Sequence, residues 1–302
     1  MRKLFVLFAL GGLYWWWRSL QEVTPSSLVN KVVVITGASA GIGRATAHQF
    51  ARYKARIVLV ARREEALNEV KNELARYGAE VLIIPADVSL EKDIKRVVSQ
   101  TEAKFGQIDV LVNNAGLSMG GYFETADSTH IRKMLDLNVK GLIRMTQVVL
   151  PAMLERKSGY IVNVSSVAGI LNAPGETAYA ASKSAVNTFS DALRRELHGK
   201  GVHVAKVLPG WTKTDMTAKL DTTLSFDQYS IVNPLMPMQD VELVAKAIVD
   251  AVRFRKSTIV LGGVLPQMNA ILPRLLEWMQ DVFYFKLIDK EHFVESLEEL
   301  GT

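Results

Sequence analysis

Val32-Val33-Val34-Ile35-Thr36-Gly37-Ala38-Ser39-Ala40-Gly41-Ile42-Gly43 is the stretch that decides the fold. Val32–Ile35 is unbroken, β-branched and apolar. Such a run suits a strand covered on both faces, as in a parallel sheet. Three glycines follow at 37, 41 and 43, and the chain then opens a helix. Glycines permit a tight turn and let backbone N–H groups approach a pyrophosphate, while the helix N-terminus adds a favourable dipole. A glycine pattern alone is weak evidence. Strand, loop and helix in that order are the context the chemistry requires.

Working outward, the same rhythm repeats. Short β-branched runs occur at Ile57–Val60, Val81–Ile84, Val110–Val112, Tyr160–Val164, Val202–Val207 and Thr258–Val260. Between them lie segments of helical period: Arg63–Tyr77, Leu90–Phe105, Ile131–Leu154 and Ala178–His198. Repeated β-α units predict an α/β fold, a doubly wound parallel sheet of Rossmann type with right-handed crossovers. Ligands of such sheets bind at the carboxyl ends of the strands. There is no linker rich in Pro, Gly or Ser, so one domain is expected over residues 31–265. Trp211–Met238 breaks the rhythm directly after a strand and reads as a substrate-covering lid. Residues 266–302 form an apolar, aromatic extension expected to pack on the domain.

The chain has 302 residues, 49% of them hydrophobic, which excludes disorder. It has no cysteine, so disulfides, thiolate metal sites and a cysteine nucleophile are excluded. His48, His130, His198, His203 and His292 form no HxxxH or HExxH pair, and no metal site is expected. A net charge of +5 without any nucleic-acid-binding signature argues against a nucleic acid partner. Residues 1–20 read MRKLFVLFALGGLYWWWRSL. The uncharged run Leu4–Trp17 is short for a perpendicular span, which needs roughly 20 residues. Trp15, Trp16 and Trp17 nevertheless suit a bilayer interface. A membrane anchor or interfacial helix is expected there, leaving the catalytic domain cytoplasmic. A cleaved signal would want small residues where the tryptophans stand, and a helix packed on the domain is the bland alternative.

Where dinucleotide-binding folds that take NAD place an acid after the second strand, this chain has Ala61-Arg62-Arg63. A guanidinium binds a 2′-phosphate that a carboxylate would repel, so NADP(H) is expected over NAD(H), with Arg62 ahead of Arg63. Solvated charges loosely paired with Glu64 and Glu65 are the alternative. Asp87, after the third strand, could accept from an adenine amine, or simply cap the next helix near Ser89.

Tyr179 and Lys183 stand four apart in a segment of helical period, on one face. A free phenol, with a pKa of about 10, is a poor acid-base catalyst at neutral pH. A neighbouring ammonium would favour the phenolate and bring it toward the working range. Ser166, after the Tyr160–Val164 strand, can hydrogen-bond the same substrate oxygen. By itself such a pair is a common accident, and a core tyrosine beside a surface lysine would explain it.

Taken in order, these residues resemble the short-chain dehydrogenase/reductase family from about Lys31 to Leu261. Thr36–Gly43 resembles its TGxxxGxG loop, with Ser39 and Ile42 inside it, and Asn113-Asn114-Ala115-Gly116 its NNAG motif. Asn138, Ser166, Tyr179 and Lys183 stand at its catalytic asparagine, serine, tyrosine and lysine, Ser166 thirteen residues before Tyr179. Pro209-Gly210 followed by Thr212 resembles its PGxxxT segment against the nicotinamide amide. The resemblance implies Tyr179 as proton donor or acceptor, and Lys183 on the nicotinamide ribose. It implies Ser166 as orienter of the substrate oxygen, and Asn138 as holder of a relay water. Asn114 and Gly116 would shape the cofactor floor. Ala40 departs from the basic residue many NADP-dependent relatives carry there, which leaves the phosphate to Arg62 and Arg63, with Arg44 as a further donor. A homo-oligomer, dimer or tetramer, is implied. The hydrophobic N-terminus and apolar lid together suggest reduction of a lipophilic ketone of steroid, retinoid, sphingoid or ketoacyl type. A soluble ketoacyl reductase-like enzyme and a non-catalytic dinucleotide-binding scaffold are the alternatives, the latter disfavoured because tyrosine and lysine are both kept.

Overall fold

The structure is a computed structural model that describes residues 25–214, 217 and 237–271. The N-terminal 1–20 segment, most of the lid and nearly all of the extension after 265 lie outside the described residues. The elements run β1 (Val32–Thr36), α1 (Gly41–Arg52), β2 (Arg56–Ala61), α2 (Glu64–Leu74), β3 (Val81–Pro85), α3 (Glu91–Phe105) and β4 (Val110–Asn113). Next come α4 (Ser128–Leu135), a π-helical segment (Asp136–Gly141), α5 (Leu142–Glu155), β5 (Gly159–Val164), α6 (Ala168–Leu171) and α7 (Thr177–Glu196). The described chain closes with β6 (Val202–Leu208), α8 (Val241–Arg253), β7 (Thr258–Val260) and α9 (Val264–Ile271).

All seven expected strands join one parallel sheet in the order β3-β2-β1-β4-β5-β6-β7. Alternation of side chains along each strand divides the core into two layers. Val33 and Ile35 pack with Phe50 of α1, Leu67 of α2 and Ile248 of α8. Val32 and Val34 face the other way, onto Ile94 of α3, Met145 of α5 and Leu193 of α7. Both sets are essentially without solvent exposure, which is why the strands read as unbroken apolar runs. Each fully buried side chain of this size stabilises by about 1.5–3 kcal/mol.

The amino ends of the strands are fastened by Asp109. Its Oδ1 accepts from Lys31 Nζ and Gln107 Nε2, both at 2.9 Å, and its Oδ2 accepts from Val32 N at 2.9 Å. Loops at the opposite edge are thereby left to vary around a fixed sheet.

The expected single helix over Ile131–Leu154 is instead interrupted. It begins at Ser128, where the Asp127 carboxylate accepts from Thr129 N at 2.9 Å, and it widens to π geometry over Asp136–Gly141. The helix presses on the chain after β3, because a Cβ on Gly141 would lie 2.6 Å from the Val88 carbonyl oxygen. Such single-turn widenings recur at functional sites, and this one carries the buried Asn138.

Candidate functional site

The strand order reverses between β1 and β4, and at that switch point the crevice opens at the carboxyl ends. Thr36 ends β1 there. Its hydroxyl accepts from Asn114 N and Ala115 N, both at 3.0 Å. Asn114 returns the contact, its Nδ2 donating to the Thr36 and Gly37 carbonyls at 2.9 and 3.3 Å. Gly37 has φ +68°, in the left-handed region, and a Cβ on it would lie 2.9 Å from Ala115 Cα. Gly43 sits even closer to the loop, its would-be Cβ 2.2 Å from the Gly37 carbonyl oxygen. The first turn of α1 has neither a side-chain cap nor an acidic residue. Its leading N–H groups thus form an anion-binding end at the floor of the crevice. Ile42 packs on the core and anchors that turn.

At the end of β2, Arg62 and Arg63 are exposed, and Arg63 Nη2 donates to Ser39 Oγ in the glycine loop at 3.2 Å. Of the two arginines the sequence offers for phosphate binding, Arg63 is thereby in direct contact with the loop. Arg44 is placed differently. Its guanidinium is committed to both carboxylate oxygens of Glu73 on α2, which also takes His48 Nε2 at 2.9 Å. Asp87 Oδ1 accepts from Ser89 N and Ser89 Oγ at 2.9 and 2.7 Å, which stabilises the turn ahead of α3, while the capping position itself is Leu90.

The second cluster is built by α7. A buried polar chain fixes the rotation of that helix on the sheet. Asn113 Nδ2 donates to Thr146 Oγ1 and Asn163 Oδ1, Asn163 Nδ2 donates to Ser190 Oγ, and Ser190 Oγ donates to the Val186 carbonyl. α6 docks tightly beside it, since a Cβ on Gly169 would lie 2.7 Å from the Lys183 carbonyl carbon. Ser166, just ahead of α6, thereby reaches the phenol of Tyr179 in a side-chain hydrogen bond. Lys183 is buried, its Nζ donating to the Val164 carbonyl at 3.2 Å and lying 5.7 Å from the centre of the Tyr179 ring. Gly116 joins the two clusters. A Cβ there would lie 3.3 Å from Asn138 Oδ1 and 3.6 Å from Lys183 Nζ. Asn138 spends its amide on the chain: Oδ1 accepts from Leu117 N at 2.8 Å, and Nδ2 donates to the Leu117 carbonyl and to Ser182 Oγ at 2.9 and 3.1 Å.

The electrostatics differ from the sequence expectation. Burial raises the Tyr179 phenol above its ordinary value, the Glu176 carboxylate raises it further, and only the Ser166 hydrogen bond opposes them. Burial also brings Lys183 down to about 8. The expected lowering of the phenol by a one-turn ammonium is therefore not what the chain's own field produces. The amine spends its hydrogen bond on the Val164 carbonyl, and desolvation disfavours both charged forms.

Three features, Thr214, Gln239 and Glu176, carry no expectation from the sequence reading, which names Thr212. Thr212 is buried and turns its hydroxyl back onto the Gly210 carbonyl at 2.9 Å. Thr214 is the residue that meets the glycine loop, its Cγ2 3.2 Å from a Cβ built on Gly41. The PGxxxT spacing, counted strictly from Pro209, already points to position 214. Gln239, which carries no motif, holds the Pro209–Thr212 turn, its Oε1 accepting from Gly210 N at 3.2 Å while the backbones of 211–213 and 239 pair. Glu176, three residues before Tyr179, is buried. Among the described residues no cluster of His, Cys, Asp or Glu could hold a metal ion.

A seven-stranded parallel sheet with a glycine loop at its switch point defines a doubly wound dinucleotide-fold protein. Residues 31–225 match the short chain dehydrogenase family, and the chain belongs to it. It is 32% identical over 275 residues to dehydrogenase/reductase SDR family member 7B of Mus musculus, covering 89% of this chain and 85% of that protein. It is 41% identical over 201 residues to an 11-beta-hydroxysteroid dehydrogenase of Pinus massoniana, covering 66% of this chain and 56% of that longer protein. Among solved structures it superposes on L-sorbose reductase from Gluconobacter frateurii, complexed with NADPH and L-sorbose, with a TM-score of 0.73 and 28% identity, covering 81% of this chain and 99% of that one. The protein is accordingly an oxidoreductase of the dehydrogenase/reductase type, acting on CH–OH or C=O groups.

Proposed function

We propose that the crevice binds NADP(H) and that Tyr179, Ser166 and Lys183 reduce a lipophilic ketone there. The observation that carries this reading is the placement of the Lys183 amine, 5.7 Å from the centre of the Ser166-bonded Tyr179 ring and 3.6 Å from a Cβ built on Gly116, in the segment whose Asn114 and Ala115 meet the glycine loop. A dinucleotide fits the floor. Gly37 and Gly43 leave room only for backbone, the α1 N-terminus offers uncapped N–H groups, and Arg63 reaches the loop. When bound there, the reduced dinucleotide would supply the hydride that the carbonyl carbon receives.

The chain does the rest. Ser166 Oγ and the phenol hold the carbonyl oxygen between them. Tyr179, kept protonated by burial, gives its proton to that oxygen. Lys183 holds positive charge at neutral pH beside the phenol and can donate to ribose hydroxyls. Asn138 positions these groups by tying the Leu117 backbone to Ser182, one residue before Lys183. Thr214 lies across the loop at Gly41, suited to cover the bound dinucleotide.

The phosphate preference rests on Arg62 and Arg63. Replacing both by alanine should weaken NADPH binding by about tenfold or more per lost charged hydrogen bond, with little change for NADH. Fluorescence titration of the two dinucleotides checks this, and equal losses for both would remove the assignment. Residues 1–20 are assigned as a membrane anchor or interfacial helix. Deleting them should release the protein from anionic vesicles in a flotation assay, whereas unchanged flotation would assign membrane contact elsewhere. No helix among the described residues is long and apolar enough to cross a membrane.

A further inference from the structure

Glu176 has no structural task. It precedes α7 at the capping position, but its side chain accepts no hydrogen bond from the helix N-terminus. No hydrogen bond or ion pair to its carboxyl occurs among the described residues, although only 7% of the residue is exposed. An unpartnered buried carboxyl is costly, and proteins retain one where it serves a ligand. Burial alone holds this carboxyl up at about 7, so at neutral pH it can either donate or accept.

Its location is specific. Glu176 and Tyr179 are three apart, hence neighbours on one side of the α7 start, and the Glu176 charge acts on the phenol. The preceding residue, Gly175, accepts from Gly121 N at 2.9 Å, which draws the Leu117–Thr125 loop alongside. That loop carries Phe123, an apolar side chain 60% exposed. The carboxyl thus stands beside the proton donor, next to a loop that offers apolar surface.

We propose that Glu176 is a specificity-determining residue that recognises a hydroxyl group next to the reacting carbonyl, so that the preferred substrate is a lipophilic α-hydroxyketone or the corresponding diol. This rests on the assignment of Tyr179 to the carbonyl oxygen. The Glu176 charge acts on the Tyr179 phenol itself, so the two side-chain ends are near one another, and a substrate whose carbonyl oxygen meets Tyr179 brings a hydroxyl on the adjoining carbon toward Glu176. A hydroxyl both donates and accepts, matching a carboxyl that does the same. A plain ketone would leave the carboxyl unpaired in a closed site, and sites built for a hydroxyl discriminate strongly against analogues lacking it.

The test compares a long-chain methyl ketone with its α-hydroxy counterpart on the full chain with NADPH, for the native protein, Glu176→Gln and Glu176→Met. The native protein should prefer the hydroxyketone by about tenfold or more in kcat/KM, as one hydrogen bond to a charged group implies. Glu176→Gln should keep part of that ratio, and Glu176→Met should bring it to about one. Glu176→Met should also melt at or above the native temperature, because it removes a buried unpaired carboxyl. A native protein without preference, a Glu176→Met protein that keeps it, or a clearly lower melting temperature for Glu176→Met would each overturn the proposal. If neither ketone is turned over, the melting-temperature rise each produces on the NADPH-loaded protein reads the same preference. Loss of turnover in Tyr179→Phe reports separately on the underlying chemistry.

Discussion

Tyr179→Phe is expected to lower kcat for carbonyl reduction by about 10²–10⁴-fold, the usual contribution of a positioned general acid. The change removes one oxygen from a half-buried ring whose hydroxyl touches Ser166. The ring body and the α7 packing stay, so the melting temperature and dinucleotide affinity should hold within a few-fold. Steady-state kinetics with a parallel dinucleotide titration separate the two. The pH dependence follows from the same surroundings. Burial holds the phenol protonated through the neutral range, so the acid for reduction is present there. Lys183 loses its charge as pH rises through about 8, and reduction should decline above that pH. A rate that climbs steadily through pH 9 would contradict the assigned roles.

Gly43→Ala is expected to weaken dinucleotide binding by about 10²-fold or more, the scale of effect that a displacement of about 1 Å in a positioning element produces. The added Cβ would lie 2.2 Å from the Gly37 carbonyl oxygen and 2.7 Å from Asn114 Nδ2. The first of these is backbone and cannot rotate away. Either α1 retreats from the loop or the loop opens, and both carry the uncapped N–H groups off their target. The loop starts at Thr36, the end of β1, and is held there by Asn114 after β4, so a lower melting temperature should accompany the loss. Dinucleotide titration and thermal melting on the same sample check it. Native-like affinity would mean that the glycine loop does not hold the dinucleotide.

The strands were legible because the sheet is buried on both faces. Val32–Ile35 reads as a continuous apolar run for that reason, and it and Tyr160–Val164 each lie within one residue of the observed strand. The glycine loop was legible because close backbone approach excludes any side chain, a constraint visible as residue identity. Tertiary contacts were not. The break at Asp136–Gly141 lies where the helix meets Val88, far away in sequence, so closely that Gly141 has no room for a side chain. Arg44 was read as free for phosphate because nothing local reveals Glu73 on the neighbouring helix. The sign of the phenol's displacement depends on burial and on Glu176, and a spacing of four between tyrosine and lysine conveys neither. Thr214 answers to the PGxxxT spacing, whereas no residue pattern marks Gln239.

The most direct test of the central claim follows the transferred atom. NADPH deuterated at the reactive nicotinamide carbon is incubated with the protein and a lipophilic ketone, and the alcohol is analysed by mass spectrometry. Deuterium is expected on the carbinol carbon with the native protein and essentially none with Tyr179→Phe. Dinucleotide binding with no deuterated alcohol from any ketone offered, or equal labelling by both proteins, would contradict the claim.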